Sequence, residues 1–307
     1  MTIVHGLNLL ELGEQFELHH QDRVLLLDGD FLIYRAAAKA AKLDTAVRRF
    51  YTSVLEYMFL VGVKECRIFI TPTGCAKCQR YHYPTVKLYQ DNRKNKVEMP
   101  LKGPLKQHLL DNPSEYAAHG ISIGASDWFE ADDLILIHAH ELMGDGVVCS
   151  DDKDMRLTPY PWWDNKTGQL MTIPDSYGLV GIVDGKPVGH GRAFFWMQML
   201  MGDAADNVKG ILTLDGKNCG PVTAWEFLKG FKTETEAANA VCQAYAAINQ
   251  NVLAEAEMMW LRRTEDDSAY AYLMEVVTDD SLRGWIQQLH DYHLKHLEWV
   301  LEQEHES

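Results

Sequence analysis

Arg23-Val-Leu-Leu-Leu-Asp-Gly-Asp30 and, further along, Gly146-Val-Val-Cys-Ser-Asp-Asp-Lys-Asp-Met155 decide the fold. Each is a short apolar run that stops on carboxylates. A run that is apolar throughout, rather than at alternate positions, is the pattern of a strand buried on both faces. A third such run, Cys66–Thr71 (CRIFIT), stops at Pro72, which has no N–H to continue a ladder. Between these runs lie helical stretches, Phe31–Phe59 with the strong helix former Ala36–Ala41 inside it, and about Trp128–Met143. Strands alternating with helices predict an α/β fold with a mostly parallel central sheet and helices on both faces. In such sheets function gathers in the loops beyond the carboxyl ends of the strands, and the acidic clusters fall there.

Beyond Arg192 the character becomes helical: Ala193–Met201, a Gly-rich turn region, Pro221–Leu228, and an all-α remainder. The expected organisation is a 1–200 α/β core followed by a helical region, 201–307. A chain of 307 residues, 47% apolar, can bury such a core and carry an appendage. No uninterrupted apolar run approaches the ~20 residues of a membrane span. The opening MTIVHGLNLLELGEQFELHH has no basic leader ahead of an apolar block. A cytoplasmic, monomeric protein without a membrane partner is expected. The pair Cys75 and Cys78 has no second pair at zinc-site spacing, so two free thiols in a loop are expected.

The formal net charge is −15, yet it is unevenly spread. Residues 231–307 hold fifteen acidic and five basic side chains. Residues 76–107 run the other way, with Lys77, Arg80, Lys87, Arg93, Lys94, Lys96, Lys102 and Lys106 against Asp91 and Glu98. Such a strip can hold phosphates on an acidic protein, or be a solvated loop.

Each acidic cluster has an ordinary explanation when taken alone. Asp28 and Asp30 fit a turn around Gly29. Asp127 as N-cap with Glu130 three residues on fits a capping box, and Asp132 and Asp133 suit a helix start. Asp203 and Asp206 could cap a helix end, and Asp151, Asp152 and Asp154 follow a strand. Together, carboxylates converging on one sheet edge would repel strongly unless divalent cations neutralise them. Two ions can activate water and stabilise the leaving oxygen of an in-line displacement.

In this order, Asp-Gly-Asp after a strand, Glu-Ala-Asp-Asp on a helix, Ser-Asp-Asp-Lys-Asp-Met after a strand, and Met-Gly-Asp-x-x-Asp-Asn-x-x-Gly-Ile, the sequence resembles the 5′-nuclease (flap endonuclease) superfamily. It looks most like the short bacteriophage 5′–3′ exonucleases, over about Leu25–Gly230. The resemblance implies a two-metal nuclease using Mg²⁺ or Mn²⁺ on DNA with a 5′ end, flap or nick, or on an RNA–DNA hybrid. Asp28, Glu130, Asp132 and Asp133 would serve one metal, and Asp152, Asp154, Asp203 and Asp206 the other. It further implies a helix-three-turn-helix element within about 201–230, its turn at Val208–Gly220. Gly210, Lys217 and Gly220 would grip duplex phosphates there, and K⁺ could bind to carbonyls of the turn. Arg35 and Arg93 match positions at the scissile phosphate, with Lys87, Lys94 and Lys96 in the strand-binding strip.

Two departures fall in one segment. Thr71-Pro-Thr-Gly74 stands where the family often has an acid, and Gln90 where it usually has lysine. Either Lys87 or Lys94 is a candidate to replace that lysine. The Asp-x-Asp and Gly-Asp motifs also match the outline of haloacid-dehalogenase-type phosphatases. A DNA-binding protein with an impaired site is the non-enzymatic alternative.

Overall fold

A computed structural model describes residues 3–4, 7–8, 22–38, 40–94, 99–172 and 177–306. Lys96 lies outside them. The expected strand at 23–27 is β1 (Val24–Asp28), buried along its whole length. It sits at the centre of a six-stranded sheet, flanked by β2 (Glu65–Phe69) and β4 (Gly146–Cys149). Outside β2 lies β3 (Ile121–Gly124), and outside β4 lie β5 (Trp162–Asp164) and β6 (Gln169–Met171), giving the order β3-β2-β1-β4-β5-β6. Every pairing is parallel except β5 with β6.

Alternate side chains of β1 enter two cores. Leu25 and Leu27 pack with α1 (Gly29–Ala38), α2 (Leu43–Val61) and α3 (Lys102–Asp111). Val24 and Leu26 pack with α4 (Ala131–Leu142) on the other face. Two-sided burial is why the run lacks alternation.

The helical stretch expected over 31–59 is two helices. An unbroken helix of that length would extend ~45 Å. Instead α1 ends at Ala38 and α2 begins at Leu43 after the extended Lys42. Both therefore lay their apolar faces on the same core.

The third core is C-terminal. The helix α5 (Arg192–Met201) is nearly all buried, and packs against α6 (Pro221–Leu228), α7 (Glu234–Ala247) and α8 (Val252–Met259). Two further helices, α9 (Ala269–Val276) and α10 (Asp280–Glu306), complete it, and a hairpin of β7 (Leu179–Val183) and β8 (Lys186–His190) lies against α5. Among the described residues, no helix is long and apolar enough to cross a membrane.

Candidate metal centre and nucleic-acid cleft

The carboxyl ends of β1 and β4 and the start of α4 open onto a cleft of about 970 Å³. Asp28 is the last residue of β1. Its Oδ1 accepts from the amides of Asp30 (2.9 Å) and Phe31 (3.3 Å), and its Oδ2 from the Ser150 hydroxyl (2.7 Å). These bonds fix the carboxylate rather than discharge it. Burial, with Asp30 and Asp152 adding repulsion, raises its pKa to about 7 despite the Ser150 bond.

Glu130 and Asp132 reach the same cleft from the start of α4, and Asp152 from the loop after β4. Burial, then the charges of Asp28, Asp152, Glu130 and Asp30, holds the Asp132 carboxyl well above the usual range. Carboxylate oxygens of Asp154, Asp203 and Asp206 lie within 4.8 Å of one another, a spacing that suits a single cation. Burial and Asp152 raise Asp154 to about 7, and burial raises Asp206 despite Arg93. Unfavourable charge in this many oxygen ligands fits a hard divalent cation such as Mg²⁺ or Mn²⁺.

Asp133 is different. It is fully buried and turned away from the cleft, and Arg80 donates to both of its oxygens at 2.7 and 2.8 Å. Burial pushes its pKa up, but Arg80 outweighs burial and the carboxyl titrates below the usual range. Arg80 donates further to Glu130 (3.0 Å) and to the carbonyls of Glu257 (3.1 Å) and Trp260 (2.9 Å). The geometry makes Asp133 the counter-ion of a buried arginine, which bridges it to Glu130.

The helix start also differs from expectation. Asp127 is not the cap: the helix begins at Ala131, and the carbonyls of Asp127 and Trp128 accept the amides of Ala76 and Cys78. Residue 130 is the N-cap, its amide meeting Asp133 Oδ2 at 3.4 Å. Thr71 Oγ1 accepts the Ala131 amide at 2.9 Å. The threonine standing where an acid was expected thus anchors the acidic helix.

The basic strip borders the cleft. Arg93 pairs with Asp206, and Arg35 is exposed, donating to the Tyr57 hydroxyl at 3.0 Å. Lys87 is exposed, and Lys94 is exposed and paired with Asp91 at 2.7 Å. Gln90 is buried, donates to Asp206 Oδ1 (2.8 Å) and accepts from Lys77 Nζ (2.6 Å). Lys106 bonds to Asp30 (2.9 Å) and the Thr71 carbonyl (2.7 Å). Lys77, Arg80 and Lys106 thus hold roles that spacing did not single out. Gln198, which donates to Asp154 at 2.6 Å, had a readable signal as a lone amide in the apolar run Phe194–Met201.

At the turn, Gly202 (φ 79°) and Gly210 (φ 67°) press together. A Cβ on Gly202 would stand 2.4 Å from the Lys209 carbonyl oxygen. Gly210 is buried, its amide bonded to Glu255 (3.1 Å) and its carbonyl to Gln250 (2.7 Å), so it presents nothing to a phosphate. Lys217 is exposed, and Gly220 caps α6. Cys75 and Cys78 are free, and burial pushes Cys78 up to about 12, unlike a thiolate ligand.

No family model and no curated protein matches the chain. Solved structures do share its fold. A metal-bound T5 D15 protein matches with a TM-score of 0.52 at 15% identity, over 91% of this chain and 98% of that one. A T5 5′-exonuclease with bound zinc matches with a TM-score of 0.52 at 14% identity, over 88% and 99%. A variant of the bacteriophage T5 D15 flap endonuclease, in complex with DNA and metal ions, gives 0.50 at 15% over 91% and 98%. The chain therefore has the 5′-nuclease fold along nearly its whole length.

Proposed function

We propose that the chain is a divalent-metal-dependent 5′–3′ exonuclease or flap endonuclease that hydrolyses phosphodiester bonds in DNA. The observation that carries this reading is the convergence of Asp28, Glu130, Asp132 and Asp152 with the Asp154–Asp203–Asp206 group beside a basic strip. Asp28, Glu130 and Asp132 are the ligands proposed for one Mg²⁺ or Mn²⁺, and Asp154, Asp203 and Asp206 for a second, with Asp152 between. Asp133 is left out, since both its oxygens serve Arg80. Bound divalent ions would supply Lewis acidity for attack of water at phosphorus and departure of the opposite oxygen.

The chain's own groups would position the strand. Arg93 lines the cleft, and the exposed Arg35, Lys87 and Lys94 are the further cations proposed to hold the strand. Lys217 and the amides at the start of α6 would hold duplex phosphates without reading sequence. A K⁺ at this turn would need carbonyls other than that of Gly210, which Gln250 uses. Action on RNA–DNA hybrids, a monomeric state and a cytoplasmic location belong to the same reading.

The test is digestion of matched 5′-labelled duplex, flap, nicked and RNA–DNA substrates with Mg²⁺ or Mn²⁺, with product lengths resolved. Asp152→Ala and Asp154→Ala should each abolish cleavage while retaining duplex binding. Wild-type rates in either variant, or no cleavage by the wild type with either ion, would reject the assignment.

A further inference from the structure

Each half of the cleft already contains a cation. Lys153 Nζ lies 2.6 Å from Asp203 Oδ2 and 3.1 Å from Asp154 Oδ1. Lys77 Nζ lies 2.8 Å from Glu130 Oε1 and 2.6 Å from Gln90 Oε1, and only 17% of its side chain is exposed. Lys153, with 36% of its side chain exposed, is held between two carboxylates. Lys153 opens the turn that Asp152 caps through the Asp154 amide, at 2.9 Å. Lys77 sits in three consecutive residues with positive φ, Lys77, Cys78 and Gln79. That backbone is costly for residues with a side chain, on the order of 1 kcal/mol each. The amides of Ala76 and Cys78, bonded to the carbonyls of Asp127 and Trp128, hold it in place.

We propose that Lys77 and Lys153 are resident counter-ions that compete with divalent metal for the two halves of the acidic cleft. This rests on the divalent-metal reading above. An ammonium bonded to Asp154 and Asp203 occupies the oxygens that, with Asp206, could surround one cation. Lys77 likewise occupies Oε1 of Glu130, a ligand proposed for the other ion. One positive charge offsets only part of the local negative charge, so metal still enters, but only by exchange with Nζ. Two effects then share one cause. The lysines keep the metal-free cleft from repelling itself apart, and they lower its affinity for metal. A lysine with a purely structural role would give the first effect without the second.

Replacing lysine by methionine removes the ammonium and keeps most of the apolar stem. Mn²⁺ titration of the full chain, followed by calorimetry or by the spectrum of free Mn²⁺, should show about tenfold tighter binding at one site in Lys153→Met, a change of about 1.4 kcal/mol. Lys77→Met should act in the same direction at the other site, and Lys153→Arg, which keeps the charge, should stay near wild type. Thermal melting gives the second readout. Metal-free Lys153→Met should melt below wild type, and saturating Mn²⁺ should close the gap because metal binds the folded state. Should Lys153→Met fail to fold without metal, Lys77→Met carries the same test. Unchanged or weaker Mn²⁺ affinity in a folded methionine variant overturns the inference alone. A wild type that binds no Mn²⁺ overturns the metal reading as well.

Discussion

Asp132 and Asp133 are neighbours on one helix and lead opposite lives. Asp132 faces other carboxylates and resists ionising, whereas Asp133 is held ionised by a buried guanidinium. Their spacing does not distinguish them, because Arg80 lies 53 residues earlier in a strip whose composition reads equally well as solvated surface. The acidic positions themselves were legible, since unused like charges at strand ends are costly. Arg80→Met would leave Asp133 buried and unpaired, costing about 3–5 kcal/mol in chemical denaturation. Arg80→Met with Asp133→Leu should recover a large part of that loss. Acid titration gives a second check at this scale. The carboxyls of Asp28 and Asp154 titrate near 7 in the folded chain, against 3.8 ordinarily. The folded state therefore takes up protons that the unfolded chain does not. Their contribution to stability is present below the unfolded value and lost as pH rises through about 7. Metal-free Asp28→Asn or Asp154→Asn should lose less Tm than wild type between pH 5 and 8; equal losses would contradict the shifts.

Some elements could be read from the sequence to the residue, such as Pro221–Leu228, where proline opens the first turn and Gly230 lies just past the last. The break between α1 and α2 could not, because no proline or glycine marks it in the sequence. The start of α4 lies three residues beyond its sequence signal, and the carbonyls of Asp127 and Trp128 pair instead with the amides of residues 76 and 78. At the turn that carries Asp203, Gly202→Ala should cost about 1–3 kcal/mol through its positive φ and its collision with two carbonyls. It should also weaken Mn²⁺ binding, by moving Asp203 off Asp154 and Asp206. In α10, His293 is buried and stacks on Tyr83 at 3.6 Å. Burial, with His290, His296 and His82 nearby, pushes its pKa down to about 4 from 6.5. The stability this neutral ring contributes is present above 6.5 and lost as pH falls towards 4. His293→Phe, which can keep the stack, should lose less Tm than wild type between pH 6.5 and 4.5.

Across the whole molecule, a net charge of −15 opposes a polyanionic partner, and the cleft concentrates that opposition where a strand would be cut. Divalent cations invert it locally. DNA affinity should therefore be much higher in Ca²⁺, used to bind without cleavage, than in EDTA, as measured by fluorescence anisotropy at fixed ionic strength. Log affinity in Ca²⁺ should fall linearly with log salt, and Lys87→Ala or Lys94→Ala should make that slope shallower. Equal affinity in Ca²⁺ and EDTA would separate DNA capture from the acidic cleft.

The bonds from Arg80 to the carbonyls of Glu257 and Trp260 also set a schedule for biosynthesis. The guanidinium that restrains Glu130 and Asp133 is fully partnered only when chain from beyond residue 256 has packed behind it. A nascent chain that has completed all six strands of the sheet, the last ending at Met171, still lacks that backing. Two of the four groups that Arg80 holds are thus supplied only after α8 has left the ribosome.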